Sequence, residues 1–190
     1  EDRLRNDWLL ILGQRRDWQR FSDVLQDFRM RDDPNVQCYA LLVAELRGGA
    51  PADVGDQVLS RWYAQKKSSD GCTQAAAQLL ADGRIQPLDV WRKARLGGEI
   101  NHPGQSRAAV ETVAPQLLAQ FSEAFGAPTK YLALGGPAAK TKGKGKHKPA
   151  AAPAAPAPRE HSSELVTLAL VRLAMSNYTG AARLLSDTWT

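Results

Sequence analysis

Cys38 and Cys72 are the residues best able to do chemistry in this chain, and they are its only cysteines. Each lies early in a predicted helix, with 33 residues between them. Two neighbouring helices can bring such a pair within the roughly 4.4–6.8 Å between Cα atoms that a disulfide requires. Closing a loop of that length would stabilise the fold by up to about 4 kcal/mol on the chain-entropy account. The same residues suit a second role, as reduced thiols buried like small apolar groups, and the spacing leaves both readings open. A metal site fits less well, because no histidine stands beside either cysteine to complete a ligand set.

The other chemically capable residues are dispersed. His102 falls in a turn, His147 in a low-complexity stretch and His161 at a helix start, and none has a histidine one helical turn away. Zinc binding and a His-dependent triad are therefore not expected, and neither is a cofactor. The Gly-rich run 135–148 lacks the Gly-Lys-Ser/Thr ending of a phosphate loop and is flanked by no strand. A Gly-x-Ser-x-Gly elbow is missing as well. Lysines at 140, 142, 144, 146 and 148 alternate with Thr, Gly and His, without an aromatic on which a base could stack. Such a run offers only salt-sensitive attraction to polyanions, and its plainer reading is a solvated linker.

Charge follows the same division. The formal net charge is +5, yet residues 135–159 carry five Lys and one Arg with no acid, a local +6. The remainder is close to neutral at −1, so the basicity belongs to the linker and no specific nucleic-acid partner is expected. At 43% apolar and 24% charged, the chain can bury a sizeable core. No window reaches the roughly 18 unbroken apolar residues of a membrane-spanning helix. The pattern is already helical a few residues after Glu1 and is still amphipathic near Thr190, so a segment of a longer protein is expected.

The elements that position these residues repeat at helical spacing. Leu4, Trp8, Ile11 and Leu12 share a face with Gly13 as a stop, and Trp18, Phe21, Leu25 and Phe28 line a second helix ending near Arg31. Asp33-Pro34 is a strong helix start, followed by Val36, Tyr39, Val43 and Leu46 up to Gly48-Gly49. Pro51 opens a helix with Val54, Val58 and Trp62; a fifth carries Ala75, Ala76, Leu79 and Leu80 to Gly83. Pro87 begins a sixth with Leu88, Trp91 and Ala94, which Gly97-Gly98 would end. Val110, Val113, Leu117, Phe121 and Phe125 mark a longer helix, and Pro115 within it predicts a kink or a split. Periodicity resumes at Ser163 in a helix apolar on nearly all sides, and a last helix runs from Thr179 to Trp189. Trp8, Trp18, Trp62 and Trp91 are expected in the core rather than on a ligand platform.

The resulting fold class is all-α, a superhelical array of short antiparallel helix pairs (an α-solenoid) interrupted by a disordered linker. Its divisions are a helical region over 1–134, a Lys/Ala/Pro-rich linker over 135–159 and a continuation of the helices over 160–190. As a flexible coil the linker would span about 25–30 Å.

Several segments in order, Leu4-Arg5-Asn6-Asp7-Trp8-Leu9-Leu10, Asp17-Trp18, Val36-Gln37-Cys38-Tyr39-Ala40 and Asp70-Gly71-Cys72, resemble the amino-terminal superhelical region of proteobacterial soluble lytic murein transglycosylases. Asp89-Val90-Trp91-Arg92-Lys93-Ala94-Arg95, the stretch from Ala124 to Leu132 and that from Leu168 to Ala174 continue the likeness in the family's order. The resemblance implies a periplasmic parent enzyme with a U-shaped helical region, a linker domain and a lysozyme-like catalytic domain. That parent cleaves the MurNAc–GlcNAc bond of peptidoglycan and leaves 1,6-anhydromuramoyl ends. The two cysteines match the family's pair, so the resemblance implies the Cys38–Cys72 bridge. Glu123-Ala124-Phe125 only echoes the family's catalytic Glu-Ser-x-Phe segment, without its Ser or the following Gly-Leu-Met-Gln, and no catalytic residue is carried over. The expected role is a non-catalytic scaffold whose partners are glycan strands and the remaining linker and catalytic domains of the same chain. The alternative from a different class is a cytoplasmic helical-repeat adaptor that binds a protein in its groove and carries a basic linker.

Overall fold

Proline and short polar side chains set the helix starts. Asp17 Oδ1 accepts from the Arg20 amide at 3.3 Å, and Asp33 Oδ1 accepts from Asn35 and Val36 at 2.8 and 3.3 Å. Pro34, Pro87 and Pro103 each occupy a first-turn position where no amide is required. In the computed structural model, which describes residues 1–67, 70–135 and 162–188, every regular element among those residues is helical. They are α1 (Asp2–Gln14), α2 (Trp18–Gln26), α3 (Pro34–Leu46), α4 (Val54–Ala64), α5 (Asp70–Ala81), α6 (Pro87–Glu99), α7 (Pro103–Val113), α8 (Leu118–Gly126), α9 (Pro128–Gly135), α10 (Ser163–Ser176) and α11 (Tyr178–Thr188). A short 3-10 turn, Pro115–Leu117, separates α7 from α8, as the proline predicts. The expected linker lies outside the described residues from position 136 onward.

Four helix ends, those of α1, α3, α5 and α6, are made by one recurrent device. Arg16, Gly48, Gly83 and Asn101 all adopt left-handed backbone, with φ of 57°, 70°, 69° and 54°. The amide that follows each reaches back over the last turn: Asp17 to Leu12, Gly49 to Ala44, Arg84 to Leu79 and His102 to Gly97, at 2.8–3.0 Å. This satisfies carbonyls that the helix would otherwise leave open. Two expected stops are thereby corrected. Gly13 lies inside α1, which ends at Gln14, and Gly97-Gly98 lie inside α6, which runs to Glu99. Both stretches serve close packing. A Cβ on Gly97 would stand 2.4 Å from Ser106 Oγ on α7, and one on Gly13 would stand 2.4 Å from the Tyr39 ring on α3.

The residues group into two compact units, 1–118 and 119–190. In the first, α1, α3, α5 and α7 pack successively on one another, α2 lies on α1 and α3, α4 on α3 and α5, and α6 on α4 and α7. These are the stacked short helix pairs expected from the sequence. Trp62, Tyr39, Phe21, Phe28, Leu9 and Leu79 are the large side chains of its core. α1 turns a different face inward from the one expected. Leu9, Leu12 and Gly13 are buried, while Leu4, Trp8 and Ile11 are 74%, 52% and 46% exposed. The notch at Gly13 admits the Tyr39 ring and so decides which side of α1 meets α3. α2 also stops early, at Gln26, and Phe28 reaches the core from the connection behind it.

In the second unit, α10 packs on α9 and α11. α9 is an element that the periodicity did not separate. α10 buries Leu165, Leu168, Ala169 and Leu173, whereas Val166, Leu170 and Val171 remain half-buried, so burial is one-sided rather than all round. Phe121 and Phe125 stack along α8 with centroids 5.5 Å apart, and the Arg172 guanidinium lies 4.6 Å from the centre of the Phe125 ring. Tyr131 donates its hydroxyl to Gln120 Oε1 at 3.3 Å.

Candidate functional site: a braced helix pair and a lateral groove

α3 and α5 are held at several points along one seam. Cys38 on α3 and Cys72 in the first turn of α5, both fully buried, form a disulfide with sulfurs 2.02 Å and Cα atoms 4.9 Å apart. Gly71 allows this approach, since a Cβ there would lie 2.5 Å from the Asn35 carbonyl oxygen. One residue along α3, the Tyr39 hydroxyl donates to Asp70 Oδ2 at 2.7 Å. Burial, and then the neighbouring Asp70 carboxylate, push the Tyr39 hydroxyl well above the ordinary phenol range. Spacing alone left the cysteines open between bridge and thiols, and the family resemblance implied the bridge; the fold forms it.

Lys93 is the buried charge that sequence reasoning missed. It is 1% exposed, and its ammonium donates to the carbonyls of Trp62 and of Gln65, the latter at 2.9 Å. The Trp62 ring centre lies 5.9 Å away. Gln105 on α7 donates its side-chain amide to the same Gln65 carbonyl at 2.5 Å. Lys93 and Gln105 thus close the carboxyl end of α4, where the helix dipole favours a cation. Burial nevertheless lowers the Lys93 ammonium from 10.5 to about 8. One signal was available: Lys93 stands in the stripe Val90, Lys93, Ala94, Gly97, whose other members are apolar or Gly.

A groove of about 510 Å³ opens between α2, α3 and α4. Leu25, Phe28, Val36, Ala40 and Leu41 supply its apolar surface, and Arg31, Gln37, Gln57 and Arg61 its polar groups. Arg61 is pinned by two bonds, Nε to Gln37 Oε1 at 2.6 Å and Nη1 to the Gln57 carbonyl at 2.7 Å. Gln37 in turn donates to the Arg31 carbonyl. No carboxylate among the described residues comes within ion-pair distance of either arginine.

The remaining candidates stay apart. His102 caps α7, its Nδ1 accepting from the Gln105 amide at 3.2 Å, while His147, His161 and the lysines 140–148 lie outside the described residues. Glu123 is exposed on α8. Trp62 and Trp91 are core residues, Trp18 is half-buried, and Trp8 departs from its expected core place. Among the described residues no three metal-capable side chains cluster, and no helix is long and apolar enough to cross a membrane. Comparisons of the chain with protein-family models, with curated proteins and with solved structures returned no match.

Proposed function

We propose that this chain is the non-catalytic helical scaffold of a periplasmic soluble lytic transglycosylase, acting through its parent on the MurNAc–GlcNAc bonds of peptidoglycan. The single observation that supports this most is the cystine between stacked helices α3 and α5. Structural disulfides persist in oxidising compartments and are rare in the cytosol, so the bridge is compatible with an extracytoplasmic site of action. Rigid stacked pairs suit the task of holding a long strand against a catalytic domain located elsewhere in the same polypeptide.

Three observations test it. The reading frame that follows the Thr190 codon is expected to encode a lysozyme-like domain with a Glu-Ser-x-Phe segment and Gly-Leu-Met-Gln beyond it; a frame without one refutes the assignment. The 190-residue chain is expected to release no anhydromuropeptides from purified murein sacculi, and their release would place an active site within it. Thiol labelling separates the adaptor reading: Cys38 and Cys72 are expected to react only after reduction, whereas ready labelling of native protein from its own cell favours the cytoplasmic adaptor.

A further inference from the structure

Arg61 is a half-buried guanidinium whose two bonded partners, the Gln37 side-chain oxygen and the Gln57 carbonyl, are both neutral. A cation held this way keeps its charge uncompensated while its orientation is already set, so most of the ordering cost of a charge-assisted bond has been met before any ligand arrives. The Nη2 group is the part of the fork left unused by these two bonds. Arg31, exposed at the rim with φ of 46°, adds a second positive charge. Beside these cations lie half-buried aliphatic side chains, Leu25, Ala40 and Leu41. The volume of about 510 Å³ falls within the range of ligand-binding clefts.

We propose that the groove between α2, α3 and α4 binds a short acidic peptide segment, its carboxylate on Arg61 and Arg31 and the neighbouring aliphatic side chain on Leu25, Ala40 and Leu41. Charge complementarity selects an anion, and the aliphatic wall selects one with an apolar residue adjacent. A nucleic acid is a poorer occupant, because Phe28, the only aromatic among the described lining residues, is 1% exposed and offers no face for stacking. A sugar would want the same missing platform. The proposal stands independently of the parent-enzyme reading, since it requires nothing outside 1–118.

The test is fluorescence anisotropy on the oxidised full chain with a labelled hexapeptide, Gly-Ala-Leu-Glu-Leu-Ala with blocked ends, and its Gln isostere. The Glu peptide is expected to bind saturably and the Gln peptide at least about tenfold more weakly, as loss of one charged hydrogen-bond pair implies. Arg61→Gln is expected to weaken the Glu peptide about tenfold or more and Arg31→Gln about two- to threefold, the latter because an exposed charge is screened. Arg92→Gln, on α6 outside the groove, is expected to leave binding unchanged. Should Arg61→Gln lose its helical circular dichroism, Leu41→Glu, at a half-buried position of the groove wall, replaces it once its own circular dichroism is shown to be native, and its carboxylate is expected to repel the Glu peptide. Equal binding of the two peptides, no saturation by about 2 mM of the Glu peptide, the same loss in Arg92→Gln, or displacement by equimolar inorganic phosphate would each overturn the assignment.

Discussion

Gly13 and Tyr39 are complementary in shape: any Cβ on Gly13 would stand 2.4 Å from two carbons of the Tyr39 ring, so the phenol lies directly against the backbone of α1. The ring is fully buried, meets Phe21 edge-on at 6.0 Å and Trp18 at a tilt at 6.1 Å, and reaches Asp70 on α5 with its hydroxyl. One side chain therefore ties α1, α2, α3 and α5 together. Gly13→Ala is expected to destabilise the protein by about 1–3 kcal/mol, the usual cost of overpacking a rigid core. Urea unfolding checks this, and Tyr39→Leu in the same chain is expected to recover part of the Gly13→Ala loss. If the double variant shows no such coupling, the contact does not limit the approach of α1 to α3.

The cystine makes a second prediction. Cys38 and Cys72 are 34 positions apart, and closing a loop of that size stabilises by about 4 kcal/mol on the chain-entropy account. Dithiothreitol is expected to lower the melting temperature of the native chain substantially, while the Cys38→Ala, Cys72→Ala pair melts low with or without reductant. With no further cysteine in the sequence, thiol exchange cannot blur the comparison. Equal melting of native protein under both conditions would show that the bridge adds nothing.

Stability should also pass through a maximum in alkaline solution. Lys93 ionises near 8 when folded and near 10.5 when unfolded, so between those values the unfolded chain holds more protons and stability rises with pH. The full gain is at most about 3 kcal/mol. The buried tyrosines act in the opposite sense. Tyr63 and Tyr131 are both pushed up to about 12, first by burial, and Tyr39 higher still, so above pH 10 the unfolded state loses protons that the folded state retains and stability falls. Unfolding midpoints from pH 7 to 11 are expected to peak near pH 9–10. Lys93→Met is expected to flatten the rising limb and leave the falling one; a rising limb that survives the substitution belongs to another group.

Arg16 occupies left-handed backbone at φ 57° in the turn that ends α1. A non-glycine residue there costs roughly 1–2 kcal/mol, part of which glycine's extra freedom in the unfolded chain takes back. Arg16→Gly is expected to stabilise the fold by about 0.5–1 kcal/mol, read from the urea midpoint at unchanged m-value. A loss instead would mean that the Arg16 side chain contributes more than its backbone strain removes.

The sequence by itself determined the helices and most of their starts, because proline, aspartate and a repeat of three to four residues act within a single turn of chain. Asp33-Pro34, Pro87 and the break at Pro115 were legible for that reason, and so was the all-α class. The ends were harder. Arg16 and Asn101 take the left-handed turns that glycine usually marks, while Gly13 and Gly97 serve contacts with residues far along the chain. Only the tertiary structure decided those contacts, along with the inward face of α1, the union of Cys38 with Cys72, the burial of Lys93 under the end of α4 and the groove that holds Arg61. Each depends on which helix lies beside which, a matter of shape and of partners 9 to 34 residues away, and local spacing carries no record of it.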